Sequence, residues 1–283
     1  MSTYGNLFLS VGAMKAGTTW LYAVFKRHPE LHFSPQKELH YFSHQYQNRN
    51  LLNHSFRLQE VHARHREYDI EKLTVDQFRY YARWANAYLA DPIDDNWFRD
   101  QFHFVGMQNY ACDFSNLHAH LPAETWPEIE NKCDKLRVLF SMRNPVKRLW
   151  SHTKFELQMN NQLDKLATRS PAEFSYFLRQ PHVWNNAEYG HVLRNLKQGI
   201  SPDNLKVMFY EDIHADRRQA LDEIEDFLGI ARHVYPDWVM ERRFTESAKV
   251  EMPDFFPDLV AEDVARIKAE VVAEGYTLPD NWA

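Results

Sequence analysis

The chain has 283 residues, of which 44% are hydrophobic and 25% charged, close to the composition of an ordinary globular protein. This composition excludes a disordered, collagen-like or coiled-coil chain and predicts a folded, soluble protein. Lys and Arg number 33 against 39 Asp and Glu, so the net charge of −6 provides no general attraction to nucleic acid or to an anionic membrane. We therefore predict no nucleic-acid partner, and any site for an anion has to be local.

The first apolar run, residues 7–11, has no basic segment before it, and Lys15 interrupts the sequence before a membrane-spanning length is reached. The sequence therefore predicts neither a signal peptide nor a transmembrane segment. A cytoplasmic location is favoured, although a chain trimmed of a targeting segment would look the same. Cys112 and Cys133 are too few for a disulfide framework and lack zinc-site spacing, so free thiols are expected.

The amino-terminal segment predicts a strand, a glycine loop and a helix in that order. Residues 7–11 indicate a buried parallel strand, and Gly12 and Gly17 follow it within one short loop. From Thr18 the apolar residues have helical spacing, and the helix is expected to stop at His28, before Pro29. This is the arrangement of a P-loop, whose backbone N–H groups and positive helix end suit a phosphate or sulfate.

Further patterns predict parallel strands separated by helices. Short apolar runs indicate strands at residues 102–105, 136–140 and 205–209. A capping-box pattern at Thr74 opens one helix, Asn144 and Pro145 open another that extends to about Met159, and residues 216–228 and 258–273 are amphipathic. We therefore expect one α/β domain over residues 1–283. It is a P-loop-like, three-layer α/β/α fold with a central parallel sheet and a helical insertion around residues 45–100.

The glycine loop departs from the nucleoside triphosphatase pattern, because Thr18 occupies the place of the usual lysine and Lys15 lies in mid-loop. It resembles the 5′-phosphosulfate loop of sulfotransferases that use 3′-phosphoadenosine 5′-phosphosulfate (PAPS). The resemblance implies that Lys15 stabilises the departing phosphate. It also implies the set of donor-binding residues in this loop: Lys15, Ala16, Gly17, Thr18, Thr19 and Trp20.

A second segment, residues 138–152, also resembles this family, in the part that binds the 3′-phosphate. Arg143 leaves the carboxyl end of a predicted strand, where open α/β sheets bind ligands, and Ser151 lies about two helical turns past Asn144. Arginine can hold a phosphate dianion with two hydrogen bonds while a serine hydroxyl adds another. A weaker match at residues 205–212, where Phe209 replaces the family's arginine, indicates a structural role only.

Residues 34–42 resemble the Lys-Glu-x-His-Phe-Phe segment of heparan sulfate and related carbohydrate sulfotransferases. The resemblance implies that Glu38 is the catalytic base, with His40 as the alternative, and that Lys37, Glu38 and His40 line the acceptor site. The sequence departs from that pattern at Leu39, where proline is common, and at Ser43, where aspartate is usual. It departs again at residues 108–110, where a Ser/Thr-Pro-x-Tyr substrate segment is expected.

These segments predict a PAPS-dependent enzyme that transfers a sulfuryl group to a hydroxyl, preferably of a carbohydrate or glycoconjugate, without a metal. The alternatives are an ATP-dependent P-loop kinase or nucleoside triphosphatase, and a nucleotide-binding protein that does not turn over. A kinase would need lysine at position 18 and a carboxylate at the end of a neighbouring strand, near the place that Arg143 occupies.

Three further patterns leave alternatives open. His118 with His120, and His62 with His65, lack a supporting carboxylate set, which argues against a metal site. The helix at residues 258–274 has the pattern of a solvated amphipathic face, and the tail that follows it, residues 275–282, has closure over the nucleotide as an alternative role. A group of aromatic residues has the spacing of core packing, with an acceptor-stacking platform as the alternative. The members of this group are Tyr80, Tyr81, Trp84, Tyr88, Trp97 and Phe98.

Overall fold

A computed structural model describes residues 2–47, 49–67, 72–102, 109–166, 168–242, 244, 248 and 250–282 of the chain. Its strands form a five-stranded sheet in the order β2-β3-β1-β4-β5, and all neighbouring strands are parallel. The predicted central parallel sheet is confirmed. The strands are β1 Asn6–Ser10, β2 Leu31–Phe33, β3 Tyr110–Asp113, β4 Lys135–Met142 and β5 Leu205–Phe209.

Helices connect the strands and cover the sheet. The first half of the chain contributes α1 Thr18–Phe25, α2 Tyr41–Tyr46, α3 His54–Glu67, α4 Val75–Leu89, α5 Asp95–Asp100 and α6 Thr125–Asn131. The second half contributes α7 Pro145–Met159, α8 Pro171–Leu178, α9 Pro181–Trp184, α10 Tyr189–Gly199, α11 Tyr210–Ala215, α12 Arg217–Leu228, α13 Asp237–Glu241 and α14 Ala261–Ala273. No helix in the described part of the chain combines the length and apolar character needed to cross a bilayer.

The three-layer arrangement follows from the alternation of side chains along the strands. In β1, Leu7 and Leu9 belong to the core that packs against α7, α10 and α14, whereas Phe8 points to the opposite face. There it joins the core formed with α1 and α12. In β4, Phe140 and Leu139 divide between the two cores in the same way. Strands β1 and β4 are therefore buried on both faces, and the helices on the two sides of the sheet confirm the predicted α/β/α layers.

Helices α3, α4 and α5 lie between β2 and β3 in the chain, so the predicted insertion is helical. The packing interpretation of its aromatic residues is confirmed. Tyr80 is half-buried, and the other members are at most 6% exposed. Trp84 and Tyr88, for example, stack with their ring centroids 5.3 Å apart. These buried rings leave no open stacking platform for an acceptor, and that alternative is wrong for them.

Two short strands differ from the prediction. The expected strand at residues 102–105 begins at Phe102, which the structure places in a turn after α5, and residues 103–105 lie outside the described residues. The sheet instead uses β3, which starts at Tyr110, and β2, which has three residues. A three-residue strand is too short for a periodic pattern. Helix α1 also ends at Phe25 rather than at His28.

The helix-capping predictions are confirmed by side-chain hydrogen bonds. Thr74 and Gln77 form both bonds of a capping box at the start of α4. The Asn144 side chain accepts from the backbone N–H of Lys147, and α7 ends at Met159 as expected. Such bonds satisfy N–H groups that have no acceptor within the first turn, so the capping residues set where these helices begin. Both cysteines are free thiols, also as predicted.

Candidate active site

The carboxyl ends of the five parallel strands lie along one edge of the sheet, which is where open α/β sheets bind ligands. Each strand is followed there by a segment with polar or charged side chains. These are the glycine loop after β1, Lys37 to His40 after β2, Ser115 and Asn116 after β3, Arg143 after β4, and Tyr210 after β5. The fold therefore gathers segments that are far apart in the chain.

The glycine loop is held between β4 and α11. The Ala13 N–H donates to the Ser141 carbonyl over 2.7 Å, which ties the loop to β4. Gly17 has a φ of +88°, and a Cβ added there would lie 2.9 Å from Cδ2 of Tyr210, so this position requires glycine. The N–H groups of Thr18 and Thr19 belong to the first turn of α1 and have no acceptor within the helix. They form the positive end of α1, a favourable place for an anion.

Arg143 is fixed against this loop. Its Nη1 donates to the Lys15 carbonyl over 3.1 Å, and its guanidinium lies 4.5 Å from the ring centroid of Tyr210. The Tyr189 hydroxyl donates to the Arg143 carbonyl over 2.8 Å and so holds the backbone as well. Arg143 Nε is buried, and no described residue accepts a hydrogen bond from it. The guanidinium thus has donor capacity to spare for an anion.

The segment around Trp282 supports the residue after Arg143. The Asn144 N–H donates to Glu211 Oε1 over 3.0 Å, and its side chain donates to the Asn281 carbonyl over 3.2 Å. Trp282 is fully buried and donates from Nε1 to Glu211 Oε2 over 2.8 Å. The end of the tail therefore packs against the residues at the start of α7. Whether it closes over a nucleotide stays a prediction.

The Lys15 ammonium lies inside a cluster of positive charge. Its Nζ is 4.3 Å from the ring centroid of Phe155 on α7. Ser151 lies about one helical turn before Phe155, and its side chain is buried, at 7% exposed. Burial, together with Arg143 and Lys37, lowers the pKa of Lys15 to about 8, because a desolvated cation beside other cations is destabilised. An anion bound in this cluster would reverse that effect and favour the charged lysine.

This pKa predicts how donor affinity depends on pH. Below pH 8 Lys15 is protonated and attracts an anion, and above pH 8 it becomes neutral. We expect the dissociation constant for adenosine 3′,5′-bisphosphate (PAP) to be nearly constant from pH 7 to 7.5. Above pH 8 it should rise by up to about tenfold per unit, as loss of one proton requires. Calorimetric titration between pH 7 and 9.5 measures this dependence.

Lys15→Arg is the control for this dependence, because arginine keeps its charge throughout the range. Its PAP affinity at pH 9.5 should remain close to its own value at pH 7.5. If the wild type and Lys15→Arg lose affinity in parallel, titration of Lys15 is not the cause.

Glu38 lies at the centre of a second cluster, next to the glycine loop. Its Oε1 accepts from Lys37 Nζ over 3.0 Å, its Oε2 is 3.3 Å from His40 Nε2, and Asn116 Nδ2 donates to Oε1 over 3.5 Å. Lys37 Nζ also donates to Thr19 Oγ1 over 3.4 Å. Burial raises the pKa of Glu38, but the charge of Lys37 and the bond to His40 outweigh it and lower the pKa to about 2. Glu38 is therefore ionised at neutral pH.

A sequence model of the sulfotransferase domain matches residues 7–250. The chain belongs to the sulfotransferase family. Among curated protein sequences there was no match.

Solved structures of three sulfotransferases resemble this one in fold over nearly their whole length. The sulfotransferase from Alicyclobacillus acidocaldarius is 19% identical with a TM-score of 0.64, and the alignment covers 97% of each chain. The sulfotransferase domain of the Synechococcus PCC 7002 olefin synthase is 19% identical with a TM-score of 0.51, covering 97% of this chain and 95% of that one. The sulfotransferase domain from the curacin biosynthetic pathway is 17% identical with a TM-score of 0.55, covering 99% of each.

In this sulfotransferase most of the predicted site residues come together at the sheet edge. The glycine loop with Lys15 and Thr19 faces Arg143 on one side and Lys37 on the other. Trp20 differs, because its indole is 5% exposed and packs 5.3 Å from the ring of His214. The Arg217 guanidinium lies 5.6 Å from its centroid. The adenine ring of a nucleotide could stack on Trp20 only by displacing His214 or Arg217.

Asn116 and Tyr210 also lie at the candidate site, and they were not identified from the sequence. Tyr210 belongs to the segment assigned a structural role only, yet its ring contacts Arg143 and restricts position 17. Its place directly after β5, beside β4, is the signal that would have identified it. Asn116 was missed because the strand before it was expected several residues earlier.

The family pattern places a substrate segment at residues 108–110, and the described part of that segment does not lie beside Glu38. Gln108 lies outside the described residues. Asn109 and Tyr110 lie at the amino end of β3, where both N–H groups donate to the Glu30 carbonyl. They are therefore on the opposite edge of the sheet from Glu38. The residues that follow the carboxyl end of β3 are Ser115 and Asn116.

Metal ligation receives no support from the described ranges, where no group of three or more His, Cys, Asp or Glu side chains could hold an ion. Metal-free chemistry by this sulfotransferase stays a prediction. The positive charge available at the sheet edge comes instead from Lys15, Lys37 and Arg143, together with the first turn of α1.

Proposed function

We propose that this sulfotransferase transfers a sulfuryl group from PAPS to a hydroxyl of its acceptor and releases PAP. The observation that carries the proposal is the chain of contacts from Thr19 through Lys37 to Glu38. It joins a loop suited to an anionic donor to an ionised carboxylate that can receive the proton of the acceptor. In-line displacement at sulfur requires both functions side by side.

On the donor side, the first-turn amides of Thr18 and Thr19 would hold the phosphosulfate, while Arg143 and Ser151 would hold the 3′-phosphate. When the bond from sulfur to the phosphate oxygen breaks, negative charge develops on that oxygen. The Lys15 ammonium would stabilise this charge, and it stabilises more strongly in a partly desolvated site than in water. No metal is needed for that step.

On the acceptor side, the hydroxyl oxygen forms its bond to sulfur while its proton passes to Glu38. A carboxylate with a pKa of about 2 is a weak base, because Lys37 and His40 stabilise its charged form. Lys37 also contacts Thr19, so a donor anion arriving at the loop would compete for the same ammonium. Loss of that stabilising charge would raise the basicity of Glu38 only when donor is present. His40 would orient the carboxylate, and it remains the alternative base.

We favour a carbohydrate acceptor, because the segment with Lys37, Glu38 and His40 resembles that of carbohydrate sulfotransferases. The polar side chains around Glu38 are compatible with a polyhydroxylated substrate. Two structural neighbours are sulfotransferase domains from an olefin synthase and from the curacin pathway. At 17–19% identity they indicate fold alone, so the panel of acceptors should include alcohols that are not sugars.

The test is transfer of radioactive sulfate from labelled PAPS to a panel of heparosan oligosaccharide, cellobiose, p-nitrophenol and n-octanol, in buffer containing EDTA. We expect labelled product and stoichiometric PAP, with the sugars turned over faster. Faster turnover of p-nitrophenol or n-octanol would contradict the carbohydrate assignment alone. Hydrolysis of ATP with Mg²⁺ would instead support the kinase alternative. PAP binding without transfer to any acceptor would support a protein that does not turn over.

A further inference from the structure

Strand β3 ends in a carboxylate that the proposed chemistry does not use. Asp113 is fully buried, next to the segment that carries Glu38. Its Oδ1 accepts from the Leu39 N–H over 3.3 Å and from the Ser115 hydroxyl over 2.6 Å. Its Oδ2 lies 3.8 Å from His118 Nδ1 and accepts no hydrogen bond within the described ranges. One buried oxygen thus holds two donors beside the candidate base.

Ser115 extends this contact to the next residue of the Glu38 segment. Its Oγ accepts a hydrogen bond from the His40 N–H over 2.9 Å, and its hydroxyl donates a hydrogen bond to Asp113 Oδ1. His40 has a φ of +55°, the left-handed region that non-glycine residues adopt only when surrounding bonds enforce it. Both amides that follow Glu38 are therefore fixed by the end of β3, one directly and one through Ser115.

The Glu38 segment needs such an anchor. β2 ends at Phe33, and Glu38 lies in the loop beyond it, before α2 begins at Tyr41. Loops are more mobile than the strands they connect, whereas catalysis tolerates little displacement of the base. Asp113 belongs to a strand that pairs with both β1 and β2, so it is a rigid reference point in the sheet.

We propose that Asp113 and Ser115 are positioning residues, which hold the Leu39 and His40 amides so that the Glu38 carboxylate points at the acceptor hydroxyl. The role rests on the proposed function, because it concerns the orientation of its base. Neither residue need touch donor or acceptor. Their effect should therefore appear in kcat and leave donor binding unchanged.

The decisive variant is Ser115→Ala, which removes the Ser115 hydroxyl and leaves the buried Asp113 carboxylate in place. The control is Ser10→Ala, since Ser10 is also buried, and its hydroxyl makes no hydrogen bond among the described residues. We expect Ser115→Ala to lower kcat at least about tenfold, from the loss of one hydrogen bond and the resulting displacement of the base. The KM for PAPS and the dissociation constant of PAP should stay within about twofold, and Ser10→Ala should match the wild type.

Amide hydrogen exchange tests the contact itself without turnover. In Ser115→Ala the His40 amide should lose protection at least about tenfold, while the Val24 amide within α1 stays protected. Asp113→Asn keeps the shape and one acceptor oxygen, so it should retain more kcat than Asp113→Ala, and circular dichroism shows whether each variant folds. Equal kcat in wild type and Ser115→Ala would overturn the positioning role, as would a loss confined to KM for PAPS.

Failure of the proposed function gives a different result. A wild-type protein that transfers no sulfate to any acceptor of the panel contradicts that function and removes the positioning role with it. A wild type that turns over, beside a Ser115→Ala variant with equal kcat, contradicts the positioning role alone.

Discussion

Replacing Glu38 with glutamine should lower kcat by about 10²- to 10⁴-fold, the range typical of losing a general base. Glutamine has almost the same shape but cannot accept the proton from the acceptor hydroxyl. It also removes the negative charge beside Lys37 and His40, which leaves the donor loop more positive and does not weaken its attraction for an anion. The PAP dissociation constant should therefore stay within about threefold of the wild type, since exposed or half-exposed charge changes have small effects. Steady-state kinetics and calorimetry measure the two quantities.

The matched control is Glu60→Gln, another half-buried carboxylate, which accepts a hydrogen bond from the Gln36 side chain near the same segment. It should retain the wild-type kcat. Glu38→Gln with wild-type turnover would show that Glu38 is not the base, and His40→Gln would then be tested as its replacement. Loss of PAP binding in Glu38→Gln would indicate that this carboxylate organises the donor loop instead.

Replacing Arg143 with alanine should weaken PAP binding by about 100-fold, the equivalent of losing two charge-assisted hydrogen bonds of modest strength. The guanidinium is already held by the Lys15 carbonyl and the Tyr210 ring, so little ordering is needed when an anion arrives. ADP lacks the 3′-phosphate and should bind weakly to both proteins. Calorimetric titration of PAP and ADP without magnesium measures both affinities.

Two variants sharpen this experiment. Arg143→Lys keeps the charge but not the two-pronged geometry, so its PAP affinity should lie between those of wild type and Arg143→Ala. Arg137→Ala removes an arginine within β4, whose guanidinium donates to the Phe227 carbonyl over 2.9 Å, and it should leave PAP affinity unchanged. A wild type that prefers ADP, or an Arg143→Ala variant with full PAP affinity, would contradict the donor assignment.

The donor half of the candidate site was predictable because its parts are contiguous in the chain. Residues 7–11, the glycine loop and α1 form one strand–loop–helix unit, and Arg143 with Asn144 forms another at the end of β4. Local signals set both units, namely an apolar run, glycine in a left-handed turn and an asparagine cap. The structure brings the two units into contact through the bond from Arg143 to Lys15.

The acceptor half of the candidate site was less predictable because its residues follow two short strands. β2 and β3 have three and four residues, and neither produces a pattern that stands out from its surroundings. Lys37, Glu38 and His40 were found through a family resemblance rather than a pattern. Asp113, Ser115 and Asn116 were missed, since their roles depend on β3 lying beside β2 in the sheet.

Local sequence patterns were enough to predict the parallel α/β architecture, the glycine loop and the starts of α4 and α7. The family resemblance added the positive groups and the carboxylate of the candidate site. Propensity, periodicity and capping act over a few residues, so they can be read locally. Which of these groups meet depends on the tertiary structure, as in the contact of Lys37 with both Thr19 and Glu38. Strand order and register place the five carboxyl ends at one edge, and these depend on packing both faces of the sheet at once.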